Sequence, residues 1–267
     1  MVFMSKIRTA LSVFSTFGMV ELFRVCVRKF SLKEPINHLL KVPTGVIIYE
    51  KGDLSRKILS LLLGIQEETI GNLRDEFFRY EGDISKALLE PRSSFFNTDY
   101  DLGSGMSEIL YLAVRAKRPM KVIETGVAAG VSTNLILYAL QENGNGKCVS
   151  IDITNEVGEV IDSGLKGRWE LQVLPEFSRE KTFRKILIAN SDSTLFLHDS
   201  DHSNSWQIKE FSGVIELLTR VELVLFDDIS ETLIAFIQEN YPDFRILVID
   251  EGKKYSGVIY KTEPIGK

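Results

Sequence analysis

Apolar and polar positions change their rhythm partway along the chain. From Leu54 the apolar residues Ile58, Leu61, Leu62 and Ile65 recur at helical spacing, with Asp53 as the expected cap and Gly64 near the end. A second helix is predicted from about Glu67 to Tyr80, with Ile70, Leu73, Phe77 and Phe78 along one side. Val46 to Tyr49 is short and β-branched between Gly45 and Gly52, as in an isolated strand. Between Glu90 and Gly105, Pro, Ser, Asn, Asp and Gly cluster as loop chemistry, which marks a boundary near residue 103. Beyond it, compact apolar runs alternate with amphipathic stretches. Strands are expected at 121–125, 148–153, 170–174, 194–198 and 222–226, and helices at 106–117, 132–142, 178–189, 206–218 and 231–239. That alternation predicts an α/β fold, a doubly wound parallel sheet with helices on both faces. The last two strands, 244–249 and 257–261, are separated only by 250–256, too short for a right-handed crossover, so they form an antiparallel hairpin. Seven strands follow, preceded by a mainly helical extension over 1–103 and forming a domain over 104–267.

Composition narrows the class. The 267 residues are 44% hydrophobic and 26% charged, which excludes disordered and fibrous chains. Two cysteines, Cys26 and Cys148, make neither a disulfide framework nor a metal knuckle, so a reducing cytosol is the expected setting. The net charge of −5 is uneven, with 17 basic and 14 acidic residues up to residue 120, then 15 and 23. An acidic second half argues against a nucleic-acid surface and suits a cationic ligand or metal. At the amino terminus, the apolar run from Ala10 to Val20 is too short to span a bilayer. Residues 1–30 hold five basic residues and one acid. A helix packed on its own chain or a partner subunit, giving a homo-oligomer, is preferred there to a peripheral membrane contact.

The sharpest local signal is Val122-Ile123-Glu124-Thr125-Gly126-Val127-Ala128-Ala129-Gly130-Val131-Ser132-Thr133, where the first parallel strand turns into a helix. Its small residues admit a ligand to the backbone and the helix N-terminus. Ala128 replaces the middle glycine of a dinucleotide fingerprint, which disfavours a nicotinamide-dependent oxidoreductase. Glu124 suits a cationic amino or sulfonium group better than a pyrophosphate. A second constellation is Leu197-His198-Asp199-Ser200-Asp201-His202 at the end of the fourth strand, with Asp227-Asp228 at the end of the fifth. Adjacent strands would crowd these carboxylates at one sheet edge, where a hard cation such as magnesium or calcium could compensate them. His198 reads as a packed core histidine, and Trp169 and Trp206 as packing residues.

The glycine-rich turn, followed by Ser150-Ile151-Asp152 on the next strand, resembles the first motifs of class I S-adenosylmethionine-dependent methyltransferases, over about residues 104–262. The resemblance implies that Glu124, Thr125, Gly126, Ala128, Gly130, Ser132, Thr133, Asp152 and Asp199 serve cofactor binding, with Asp152 on the ribose hydroxyls. Asp-x-x-His after the fourth strand and the paired acid after the fifth are similar to a subgroup of metal-dependent small-molecule and sugar O-methyltransferases. Carried over, that subgroup makes Asp199, Asp227 and Asp228 magnesium ligands, with Asp201 as the alternative to Asp199, and His202 the general base toward a hydroxylated small molecule or sugar. Thr219-Arg220-Val221 departs from its Gly-Gly turn, and Pro175-Glu176-Phe177-Ser178 departs from its adenine segment, leaving Glu176, Ser178 and Asp192 as weak adenine candidates. A non-catalytic protein that keeps the fold is the remaining alternative, opposed by the repulsion such an acidic edge would carry.

Overall fold

Three strands are buried along almost their whole length because helices cover both faces of the sheet: β2 (Lys121–Thr125), β5 (Leu195–His198) and β6 (Leu223–Phe226). The structure is a computed structural model that describes residues 45–50, 52, 54–87 and 103–261. Before β2 lie β1 (Val46–Glu50), α1 (Arg56–Leu63), α2 (Glu67–Ala87) and α3 (Ser104–Lys117). Then come α4 (Val131–Glu142), β3 (Lys147–Asp152), β4 (Trp169–Val173), α5 (Arg179–Ala189), α6 (Asn204–Leu217), α7 (Glu231–Asn240), β7 (Phe244–Asp250) and β8 (Tyr255–Lys261). The expected amino-terminal helix over 1–30 lies outside the described residues.

The sheet has eight strands in the order β1-β7-β8-β6-β5-β2-β3-β4, one more than expected. The extra strand is β1, which pairs in parallel with β7 from Val46 opposite Ile246 to Glu50 opposite Asp250. A short β-branched run is unstable alone, and the free edge of β7 supplies its hydrogen bonds. The hairpin holds as expected, with β8 inserted antiparallel between β7 and β6. All other pairings are parallel.

The described residues lie within one compact unit. Ser55 caps α1, its hydroxyl accepting from the Ile58 amide at 3.3 Å, so the cap stands two residues beyond Asp53. Arg115 of α3 donates to Glu76 of α2 at 2.5 Å, and the Tyr111 hydroxyl donates to the same carboxylate at 2.6 Å. At its other end α3 meets the hairpin, where the Glu251 carboxylate accepts from the Met106 amide at 2.8 Å and the Gly105 amide at 3.2 Å. An anion at a helix N-terminus satisfies its orphan amides, and here it also docks the hairpin tip.

Candidate active site

The strand order reverses between β2 and β5, which places a crevice at their carboxyl ends. Thr125 pairs with His198, and His198 with Phe226, so Gly126, Asp199 and Asp227 leave the sheet side by side. Backbone bonds continue one step beyond the strands: the Gly126 amide donates to Ile151 O, the Asp199 amide to Thr125 O, and the Asp227 amide to His198 O.

Close packing dictates the glycine turn. Gly126, Ala128 and Gly130 all have positive φ, at 81°, 46° and 101°. A Cβ on Gly126 would stand 1.8 Å from the Asp199 carbonyl oxygen, and one on Gly130 would stand 2.6 Å from Ile161 Cγ1. The chain itself therefore demands glycine at both places. Asp152 ends β3 half-buried, its Oδ2 accepting from the Val127 amide at 2.9 Å and its Oδ1 from the Ile153 amide at 2.6 Å. Oδ1 also accepts from the Thr154 amide at 3.2 Å, whereas Oδ2 keeps a lone pair, so this oxygen beside the N-terminal turn of α4 can accept a hydroxyl such as that of a ribose.

Glu124 does not line the crevice. It is fully buried beneath the turn, with Oε2 accepting from the Thr133 and Ser150 hydroxyls, each at 2.7 Å. Burial pushes its carboxyl up, against the lowering effect of hydrogen bonds from Ser132, Ser150 and Thr133. Thr125 is also turned inward, its hydroxyl donating to Glu210 at 2.8 Å. Glu124, Thr125, Ser132 and Thr133 thus brace the turn from behind, and a direct cofactor contact through the Glu124 carboxylate is corrected by this placement. Strand alternation carries Glu124 inward, where two hydroxyls await it.

The acidic edge forms as expected, but with a cation the sequence reading missed. Asp227 is nearly inaccessible; its Oδ1 accepts from the Gly103 amide at 3.2 Å and its Oδ2 pairs with Lys254 Nζ. Burial, the Asp227 charge and then Glu124 hold the Asp199 carboxyl well above the usual range, with its side-chain contact to Asp227 adding to the rise. Burial also raises Asp228, opposed by His202 and Lys254. Asp201 stands apart, accepting from the Ser203 amide at 2.9 Å. Among the described residues no group of three His, Cys, Asp or Glu is disposed to hold a metal ion. Asp199, Asp227 and Asp228 are brought to one edge, yet they do not make a coordination shell, because an ammonium occupies Asp227. These residues as arranged do not fit magnesium.

His202 sits over this edge on the loop between β5 and α6. The residue is solvent-accessible, but protein crowds its ring, which packs edge-on against His198 with centroids 5.7 Å apart. Desolvation and then His198 hold its pKa below the ordinary 6.5, against the raising effects of Asp228 and Asp227. Gln207, buried on α6, donates to His202 O at 3.3 Å and Asp228 O at 2.6 Å and accepts from the Ser230 amide at 3.1 Å. That one amide clamps the two loops together. His198 is a core residue as expected: its Nδ1 lies 2.6 Å from Glu210, which also accepts from Thr125, Ser200 and Trp206. Trp169 likewise packs, donating to the Ser150 hydroxyl at 2.9 Å.

Of the adenine candidates, Glu176 and Ser178 are exposed in the loop after β4. Asp192 is on the wrong side, preceding β5 at the amino edge and pairing with Lys121 at 2.8 Å.

A doubly wound sheet with an antiparallel last strand, a glycine turn after its central strand and an acid ending the next is the arrangement expected from the resemblance to class I methyltransferases. Residues 123–229 match the family model of a methyltransferase domain, and the chain resembles S-adenosylmethionine-dependent methyltransferases in fold and motif order. Among solved structures, the chain is similar to the SAH-bound methyltransferase PaMTH1 of Podospora anserina, at 11% identity over 74% of this chain and 97% of that chain, with a TM-score of 0.51. It is also similar to the O-methyltransferase TomG from Streptomyces achromogenes in complex with SAM, at 15% identity over 70% and 99% of the two chains, with a TM-score of 0.47. No curated protein matches. Among the described residues, no helix is long and apolar enough to cross a membrane.

Proposed function

We propose that the chain is an O-methyltransferase acting on a hydroxylated small molecule or sugar, with residues 104–267 as its S-adenosylmethionine-binding domain and His202 as general base. The observation that carries this reading is His202 standing three residues beyond Asp199, over the carboxyl ends of β5 and β6, with its imidazole tuned toward the neutral form. Asp152 would hold the ribose, and the Gly126–Gly130 turn with the start of α4 would receive the rest of the cofactor. When bound, S-adenosylmethionine supplies a sulfonium methyl whose carbon–sulfur bond breaks as the acceptor oxygen forms the new bond, leaving a neutral thioether. His202 takes the acceptor's hydroxyl proton on its imidazole, and the Gln207 clamp fixes the loop that presents the ring. Acceptor selection falls to the loops over the crevice. The absence of a cysteine framework supports a cytosolic setting.

The neutral imidazole is the working form, and its pKa lies below 6.5. Methyl transfer to a hydroxyl acceptor is therefore expected to fall on acidification with a midpoint below 6.5. A pH–rate profile under saturating S-adenosylmethionine checks this. An acid limb centred above 6.5 would remove His202 from the role.

A further inference from the structure

We propose that the Lys254 ammonium is the resident cation of the acidic edge, seated on Asp227 where a divalent metal would otherwise bind, so that the site works without one. This inference rests on the O-methyltransferase reading for its purpose, but its geometry stands independently. Lys254 Nζ pairs with Asp227 Oδ2, and the two side chains are 22% and 3% accessible. The same positive charge opposes the rise of the Asp199 and Asp228 carboxyls and disfavours a charge on His202.

The lysine is delivered there by structure. Its backbone carbonyl accepts from the Glu251 amide at 3.0 Å, which closes the tight β7–β8 turn, and Asp250 pairs with Tyr255 immediately beyond. The tip is pinned on one side by Glu251 on the first amides of α3, and on the other by the Ser256 hydroxyl donating to Asp227 O at 2.8 Å. A lysine held at both flanks loses little further freedom in reaching a buried carboxylate. Magnesium requires near-octahedral oxygen ligands at about 2.1 Å, a demand that Asp227 cannot meet while an ammonium covers it. A strongly desolvated carboxylate left unpaired would be costly, so the ion pair is the stable arrangement. In this account Lys254 is a positioning residue that holds the Asp227 carboxylate in place at the edge it shares with Asp199 and Asp228.

The test is Mn²⁺ titration of the full chain, read by electron paramagnetic resonance of free and bound ion, for the wild type, Asp227→Asn, Lys254→Ala and the double variant Lys254→Ala with Asp227→Asn. The wild type is expected to show no stoichiometric site up to about 1 mM, a range that covers weak protein sites. Lys254→Ala uncovers the carboxylates and is expected to bind one Mn²⁺ per chain at least about 10-fold more tightly, and the double variant to lose it. One Mn²⁺ bound per wild-type chain and lost in Asp227→Asn overturns the proposal, as does a folded Lys254→Ala that gains no site. Should Lys254→Ala fail to fold, the wild-type titration decides alone. No acceptor or turnover enters the readout, so a protein that methylates no hydroxyl group would overturn the functional reading and leave this one standing.

Discussion

Replacing His202 with alanine is expected to lower the rate of methyl transfer by about 10²- to 10⁴-fold, the usual contribution of a positioned general base. An acceptor hydroxyl holds its proton tightly at neutral pH, and the ring that would receive it is the only imidazole with an accessible face on this edge among the described residues, since His198 is fully buried. Truncation leaves the supporting structure intact, because the Gln207 clamp holds the backbone carbonyl of residue 202 and Ser203 caps α6 with its own hydroxyl. The proposed cofactor contact is made by Asp152, at the end of β3, so cofactor affinity is expected to change by less than about twofold in this variant. Turnover and calorimetric titration on the same preparation separate the two effects. Unchanged turnover in this variant would sink the base assignment, and a parallel collapse of affinity would make His202 a binding residue instead.

Gly126→Ala is expected to destabilise the fold by about 3 kcal/mol or more, among the largest effects available to a single methyl group. Two costs coincide there. The φ of 81° strains any L-residue, and the new Cβ would lie 1.8 Å from the Asp199 carbonyl oxygen and 2.5 Å from its carbon. Neither atom can retreat without breaking the Asp199 amide bond to Thr125 that continues the β2–β5 ladder. Gly144→Ala is the control: its φ is 74°, but nothing lies within 4 Å of the added carbon, so about 1 kcal/mol from strain alone is expected. Urea denaturation of both variants checks the contrast, and equal losses would refute the clash.

Most of the sheet was legible because its strands are short apolar runs whose burial on two faces leaves no ambiguity, as in β5 and β6. The antiparallel hairpin followed from the shortness of the link between β7 and β8, and the acidic edge from acids placed one residue past adjacent strand ends. β1 was readable as a strand but not as a partner of β7, since that pairing joins residues 200 positions apart, Val46 and Ile246. The last part of α2 escaped because its polar residues carry no apolar period. Glu124 was misplaced for want of its neighbours: nothing local shows that Thr133 and Ser150 wait behind it. Asp192 was avoidable, since a residue just before a parallel strand sits at the edge opposite the crevice. Lys254 was invisible because a lysine in a hairpin turn is ordinarily a solvated charge, and only the fold brings Asp227 beneath it.

The central claim is that the crevice at the ends of β2, β3 and β5 binds S-adenosylmethionine. Calorimetric titration of the full chain with S-adenosylmethionine, and separately with NAD, tests it most directly. The account predicts one S-adenosylmethionine bound per chain, weakened at least about 10-fold by Asp152→Ala through loss of the ribose contact, and no binding of NAD. Binding of NAD with none of S-adenosylmethionine would contradict it.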